Sequence, residues 1–299
     1  MRMDEFVFHR PGSLVEASVL SKELGEQALF IAGGTDLITD LKRGRRQARH
    51  VISLGALAEL RGIRREGDVL CIGALATHAQ VAASSELRAF FPGLAEAAGM
   101  LGAAQIRNQG TIGGNFCAAV PCADCPPMAL AGELRVRLVD DAAERELAAE
   151  AFFLGPRQSA LRPGEILREL RVAQQPPASG ASYQRFTLRG GLALSVASVA
   201  ACLHLDGERI ASARVVLGAV APLPLLVKEI SRRLEGAVAS EELFAAAAAD
   251  AAAAALPISD IRGSEAYRRE IVAVMARRAL DIALARARGE QGYPWEQVR

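Results

Sequence analysis

Nowhere in this 299-residue chain do 18 or more apolar residues follow one another, so no membrane-crossing helix is predicted. The opening segment from Met1 to Ser13 has no apolar core of signal-peptide length, and a cytoplasmic location is expected. A dominant charge is also missing: 35 Lys and Arg stand against 34 Asp and Glu, a net +1, with the two signs interspersed. That pattern predicts no basic face of the kind phosphate-backbone binding requires, and no nucleic-acid partner. Histidine is sparse, and His9, His50, His78 and His204 show no paired spacing. A His-based metal site is therefore not expected, and the imidazoles are read as satisfied or exposed. No local motif suggests a Ser/His/Asp arrangement either. Five cysteines, three of them between Cys117 and Cys125, do not form a disulfide framework in a chain of this size, which leaves reduced thiols or ligands.

What is present is a composition of 51% hydrophobic and 23% charged residues, enough for two domains with proper cores. A strand at Phe6 to His9 precedes a capping-box pattern at Ser13 and Glu16. That box opens an amphipathic helix carrying Leu14, Ala17, Leu20 and Leu24. A strand at Ala28 to Ala32, the turn Gly33-Gly34-Thr35, a short helix from Asp36 to about Arg43 and a strand at His50 to Ser53 complete a parallel β-α-β-α-β unit. Arg64 to Gly73 reads as a hairpin turning at Glu66-Gly67-Asp68, and helices are predicted over Thr77 to Phe90 and Gly93 to Met100. Gln105 to Pro127, rich in Gly, Asn, Cys and Pro without a sustained period, predicts a long ordered loop of the kind that carries function.

Strands follow at Leu134 to Val139 and Ile166 to Val172, then a linker at Gln174 to Ser182. Beyond it, strands at Tyr183 to Leu188, Leu194 to Leu205 and Ala213 to Gly218, with a turn at Asp206-Gly207, predict a small antiparallel sheet. The alanine-rich Glu241 to Ala255 reads as a closely packed helix, and Ser264 to about Arg288 as another.

Two glycine-rich turns carry the chemistry: Ala32-Gly33-Gly34-Thr35-Asp36 after a predicted strand, and Thr111-Ile112-Gly113-Gly114-Asn115 inside the long loop. Glycine lets backbone N–H groups approach a phosphate closely, and an adjacent helix N-terminus adds a favourable dipole, so each turn could cradle one side of a pyrophosphate. Neither matches the Rossmann or Walker A pattern, which argues against those modes of nucleotide binding.

The stretches AGGTDL at 32–37 and IRNQGTIGGN at 106–115, with Ala123-Asp124 beyond, resemble the flavoprotein subunit of molybdenum hydroxylases, the family of xanthine dehydrogenase and carbon monoxide dehydrogenase. Arg185-Phe186-Thr187-Leu188-Arg189 followed by SVASVA, then Tyr267-Arg268-Arg269 and Arg277-Arg278-Ala279-Leu280, are similar to the C-terminal flavoprotein domain of that family. The resemblance covers nearly the whole chain. It implies an α+β fold: a PCMH-type FAD-binding region of two subdomains, then a domain with a three-stranded antiparallel sheet and a helical bundle. The expected boundaries are 1–175, divided at about 55, and 183–290.

By the same resemblance, Ile31, Ala32, Gly33, Gly34, Thr35, Asp36 and Leu37, with Gly110, Thr111, Ile112, Gly113, Gly114 and Asn115, hold the pyrophosphate and ribityl parts of FAD. Leu101 and Gly102 line the adenine side, Asp124 hydrogen-bonds the cofactor, Ile166 and Leu167 pack near it, and Arg185 lies near the flavin. Asp124 reads equally as the N-cap of a helix starting at Pro126, and Arg185 as a surface salt-bridge residue.

The implied partners are a molybdopterin-binding large subunit and a 2Fe–2S small subunit in a hetero-oligomer. Electrons arrive singly from the clusters and leave in pairs to an acceptor such as NAD or a quinone. At 299 residues the chain has no room for a molybdopterin domain of its own. The rival readings are a self-sufficient flavin oxidase of the vanillyl-alcohol-oxidase fold, for which no catalytic base is found, and a scaffold that has lost its flavin. Cys117, Cys122 and Cys125 depart from the family pattern and have the spacing of a plant-type ferredoxin site, with a fourth ligand to come from Cys71, Cys202 or another side chain. One branch of the family, 4-hydroxybenzoyl-CoA reductase, carries an additional cluster in this subunit, but within a longer insertion that this chain lacks, so packed thiols are expected here.

Overall fold

The structure, a computed structural model, describes residues 3–290. The first unit comprises β1 (Val7–His9), α1 (Leu14–Leu24), β2 (Ala28–Ile31), α2 (Leu37–Lys42) and β3 (His50–Ser53). Its strands lie in the order β1-β3-β2, all parallel, as the β-α-β-α-β pattern predicts. Ser13 caps α1 by accepting the Glu16 N–H at 3.1 Å, but the Glu16 carboxylate turns to the Gly12 N–H, so the capping box is half formed. Ala17, Ile52 and Leu54 pack in one cluster with Val139 and Ile166 of the next unit. The first unit therefore has no closed core of its own.

The second unit starts with the hairpin β4 (Ile63–Glu66) and β5 (Val69–Gly73) and continues through α3 (His78–Ala83), α4 (Ser85–Phe90), α5 (Pro92–Met100), α6 (Ala104–Gln109), α7 (Ile112–Ala118) and α8 (Cys125–Ala131). It ends with β6 (Arg135–Val139), β7 (Glu144–Ala148), α9 (Ala149–Phe152), the small hairpin β8 (Phe153–Gly155) and β9 (Gln158–Ser159), and β10 (Ile166–Ala173). An antiparallel sheet in the order β4-β5-β10-β6-β7 forms its base.

Two expectations need correction here. The helix expected over Thr77 to Phe90 breaks at Ser84, which ends α3 and caps α4 through its hydroxyl and the Leu87 N–H. The long loop expected over Gln105 to Pro127 is mostly helical, holding α6, α7 and the start of α8. These helices have six or seven residues each, too short to show a 3.6-residue period. The two glycines of α7 lower its intrinsic propensity, and the buried Ile112 and Phe116 hold it instead.

The third unit contains β11 (Ser179–Phe186), β12 (Ala197–Asp206), β13 (Arg209–Gly218), β14 (Leu225–Leu226), α10 (Lys228–Leu234), α11 (Glu241–Ala254) and α12 (Glu265–Ala287). The strands form an antiparallel sheet in the order β11-β12-β13-β14. The two-residue β14 adds a short fourth member to the three strands expected. β11 begins inside the predicted linker because α12 covers it: a Cβ on Gly180 would lie 1.9 Å from the Ala283 carbonyl.

The apolar run along β12 reflects burial on both faces. Val199, Ala201 and Leu203 face the helices α10 to α12, while Ala200, with Tyr183 and Val216, joins the core of the second unit. Phe244, Ala247, Ala248 and Ala251 are the buried face of α11, where the small alanine side chains permit close helix packing.

Candidate functional site

The two glycine turns meet at a cleft of about 600 Å³ between the first and second units, a size usual for small-molecule sites. A Cβ on Gly33 would stand 2.0 Å from the Gln109 carbonyl oxygen, and one on Gly113 2.6 Å from the Ala74 Cβ. Glycine is needed at these positions because the turns pack on neighbouring backbone, which is a different reason from clearance for a phosphate. Gly34 takes φ +72, open to glycine at little cost.

The turns differ in what they offer a ligand. In the second, the Ile112 N–H donates to Ala76 O, Gly113 to Ala74 O, Gly114 to Thr111 Oγ1 and Asn115 to Thr111 O, so these four donors are engaged. In the first, the N–H groups of Gly33, Gly34, Thr35, Asp36 and Leu37 have no acceptor among the described residues. Those of Gly33, Gly34 and Thr35 belong to the turn itself, and those of Asp36 and Leu37 to the N-cap and first residue of α2, where backbone dipoles favour an anion. Across the cleft, Asn115 Oδ1 is buried without a hydrogen-bond partner. Free donors on one wall and an orphaned acceptor on the other fit a phosphate ester carrying hydroxyl groups.

Asp124 sits at the opposite end. It occupies the N-cap position of α8 but makes no side-chain cap bond. Its Oδ1 instead accepts from the Tyr183 hydroxyl at 2.8 Å and the Ser195 hydroxyl at 2.7 Å, and its Oδ2 accepts from Arg185 at 3.0 Å. Burial pushes the Asp124 carboxyl above its ordinary range, and the Arg185 guanidinium opposes the shift. Arg185 also donates to Met100 O and Ala193 O.

The expected site residues from Ile31 to Leu37, Leu101, Gly102, Gly110, Thr111, Gly113, Gly114, Asn115, Asp124, Ile166 and Leu167 all line this cleft. Ile112 does not, because its side chain is fully buried in the core of the second unit. Arg185 does not line it either, nor is it a surface salt-bridge residue: it stands behind Asp124 in a nearly buried pair.

Cys117 and Cys122 line the cleft, whereas Cys125 is buried behind it with Sγ 3.8 Å from His78 Nδ1. Burial raises all three thiols, Cys117 to about 12. Among the described residues, the one group that brings three potential metal-ligand atoms within 4.8 Å of one another is Glu66, Cys71 and Glu169. Arg64 and Arg171 hold both of those carboxylates, so it is an ion-pair cluster.

His78, Asp40, Arg45, Arg46 and Arg157 also line the cleft and escaped sequence reasoning. His78 is buried, and burial, reinforced by the Arg107 charge, lowers its pKa to about 4. Arg157 reaches from the β8–β9 turn to Asp40 on α2, Nη1 to Oδ2 at 2.6 Å, tying the second unit to the first at the cleft mouth. No motif marks that pair; only the basic run around Arg45 is visible in the chain.

Residues 4–174 match the family described as the FAD binding domain in molybdopterin dehydrogenase, and residues 181–283 match the CO dehydrogenase flavoprotein C-terminal domain. The carbon monoxide dehydrogenase medium chain of Hydrogenophaga pseudoflava is 34% identical over 94% of this chain and 98% of its own length. The xanthine dehydrogenase FAD-binding subunit of Escherichia coli O157:H7 is 28% identical over 95% and 97%. A solved structure of the Hydrogenophaga pseudoflava carbon monoxide dehydrogenase superimposes with a TM-score of 0.93 at 33% identity, over 96% of this chain and 99% of that one. The fold, the cleft and these likenesses agree, and the chain belongs to the molybdenum hydroxylase family as its FAD-binding medium subunit.

Proposed function

We propose that the cleft holds one non-covalent FAD. In this reading the chain passes electrons between iron–sulfur clusters of a small partner subunit and an external acceptor, while substrate chemistry occurs on a molybdopterin-binding large subunit. The observation that carries the reading is the row of unengaged N–H donors from Gly33 to Leu37, facing a cleft in which Asn115 Oδ1 lacks a donor. FAD, when bound, supplies the redox chemistry, and the chain supplies position and electrostatics.

The first turn takes the pyrophosphate on its donors, and Asn115 accepts from a cofactor hydroxyl. Thr111, Gly113 and Gly114 form the facing wall, with the Gly113 and Gly114 donors held within the protein. Ile166 and Leu167 provide an apolar side, Leu101 and Gly102 the adenine side, and Asp124 a remaining lone pair. Arg185 acts through Asp124. The FAD-binding domain spans 1–175, with subdomains about 1–55 and 56–175, and the C-terminal domain spans 183–290. A hetero-oligomer in the cytoplasm is the expected setting. Among the described residues no helix is long and apolar enough to cross a membrane.

Purification alone and with co-expressed neighbours tests this reading. A yellow chain that releases its flavin on acid precipitation and co-purifies with iron–sulfur and molybdenum subunits supports it. Flavin retained in the pellet defeats the non-covalent claim, and a colourless chain that takes up no added FAD defeats the reading itself.

A further inference from the structure

His78 stands where the two glycine turns meet. It is the first residue of α3, whose entry is fixed by a capping box: Thr77 Oγ1 accepts the Gln80 N–H at 3.2 Å and Gln80 Oε1 accepts the Thr77 N–H at 2.9 Å. The His78 N–H donates to Gly110 O at 3.0 Å and the Ile112 N–H to Ala76 O at 2.9 Å, so the backbone around the imidazole is pinned to the second turn. A Cβ on Gly110 would lie 3.3 Å from His78 Cδ2 and 3.4 Å from Thr35 Oγ1. The ring edge and both turns therefore surround one point.

The side chain is only 2% exposed, yet it lines the cleft. A buried imidazole needs a partner at each nitrogen, since a polar group left unpaired away from water costs free energy. One partner is in place, with Cys125 Sγ 3.8 Å from Nδ1. Burial raises the Cys125 thiol, so the sulfur keeps its proton and donates it to Nδ1.

Nδ1 is then an acceptor, and the proton of the neutral ring sits on Nε2. The ring is neutral because burial and the Arg107 charge lower its pKa to about 4. Its place at the start of a helix disfavours an imidazolium further. Nε2 has no hydrogen-bond partner among the described residues, and it is bonded to Cδ2, the atom turned toward Gly110 and Thr35. A buried donor is thus left unspent where the turns converge.

We infer that His78 is a cofactor-binding residue whose Nε2–H donates to a phosphate oxygen of FAD at the junction of the two turns, with Cys125 as the positioning residue that sets its tautomer. This rests on the FAD reading above and adds one side-chain donor, supplied by the second unit, to the backbone donors of the first turn. It also gives Cys125 a role other than ligation. A neutral donor suits a diphosphate already held on backbone N–H groups, because it brings no buried charge of its own.

The test is titration of FAD into the full chain, purified with its co-expressed neighbours and stripped of flavin, followed by flavin fluorescence. His78→Phe, His78→Gln and Cys125→Ala are measured beside the unaltered protein. His78→Phe removes the donor and keeps a flat ring, and its FAD dissociation constant should rise about tenfold to a hundredfold, the scale of one hydrogen bond to a charged group. His78→Gln, whose amide N–H reaches the position of Nε2, should recover most of that loss, and Cys125→Ala should weaken binding less than His78→Phe. The phosphorus NMR resonances of bound FAD should move in the Phe variant and return in the Gln variant, while the urea midpoint of the flavin-free Phe variant at neutral pH does not fall. Unchanged affinity in the Phe variant, a Gln variant as weak as the Phe variant, or unmoved phosphorus resonances overturns the inference. A flavin-free Phe variant that unfolds at lower urea makes His78 a structural residue and overturns it too, whereas an unaltered chain that holds no FAD defeats the preceding reading.

Discussion

Arg185 and Asp124 form one nearly buried ion pair, Nη1 to Oδ2 at 3.0 Å, that joins three walls of the cleft. Through Met100 O and Ala193 O the same guanidinium reaches the end of α5 and the loop after β11, and through Asp124 it reaches the start of α8. Arg185→Met leaves a buried carboxylate without its cation and is expected to cost about 3 kcal/mol of unfolding free energy, with reduced FAD retention. Asp124→Asn in the Arg185→Met background should recover part of that loss. Urea unfolding of the single and double variants measures it, and strictly additive losses would show that the pair is not coupled.

The two glycine turns should respond differently to a single methyl group. On Gly33 it meets the Gln109 backbone at 2.0 Å and must part the two turns. Gly33→Ala should lower both stability and flavin content sharply. On Gly114 it meets only the Thr111 hydroxyl at 2.9 Å, and the loss should resemble that of a helix cap, about 1 kcal/mol, with most flavin kept. Equal flavin content in the two variants would contradict this assignment of the turns.

His78 should make the fold acid-sensitive. Burial lowers its pKa to about 4, while in the unfolded chain it titrates near 6.5. The unfolded state therefore binds the extra proton between these values, so the contribution is complete above about pH 6.5 and is lost as pH falls toward 4. The magnitude is up to roughly 3 kcal/mol. Denaturation midpoints across this range should fall less steeply for His78→Phe; parallel curves would rule the residue out.

Cys117, Cys122 and Cys125 are expected to hold no iron–sulfur cluster. Cys117 and Cys122 line the cleft while Cys125 is buried behind it against His78, and among the described residues these three sulfurs do not converge within 4.8 Å as ligands of one site would. Iron and acid-labile sulfide should be assayed after anaerobic purification, with a Cys122→Ser/Cys125→Ser variant alongside. About two or four irons per chain, absent from that variant, would establish a cluster and overturn the expectation.

Much of this protein was decided locally, by the chain itself. The period-2 and helical patterns place the parallel strands, the hairpin and the long helix α12, because each buries one face at a regular spacing. The turns at 32–36 and 111–115 are visible as glycine pairs, and the basic run at 42–49 as composition.

The tertiary structure decided what those features do. It makes helices of the segment from Ala104 to Ala131 by burying Ile112, Phe116 and Met128, a contribution that short local sequence does not display. It leaves the donors of the first turn free and engages those of Ile112 and Gly113 in the second, through carbonyls of Ala76 and Ala74 that are distant in the chain. It also places Arg185 behind Asp124, 61 residues away, and carries Arg157 across to Asp40, 117 residues away. Contacts of that separation have no period or spacing in the sequence, because only the packing of one unit against another creates them.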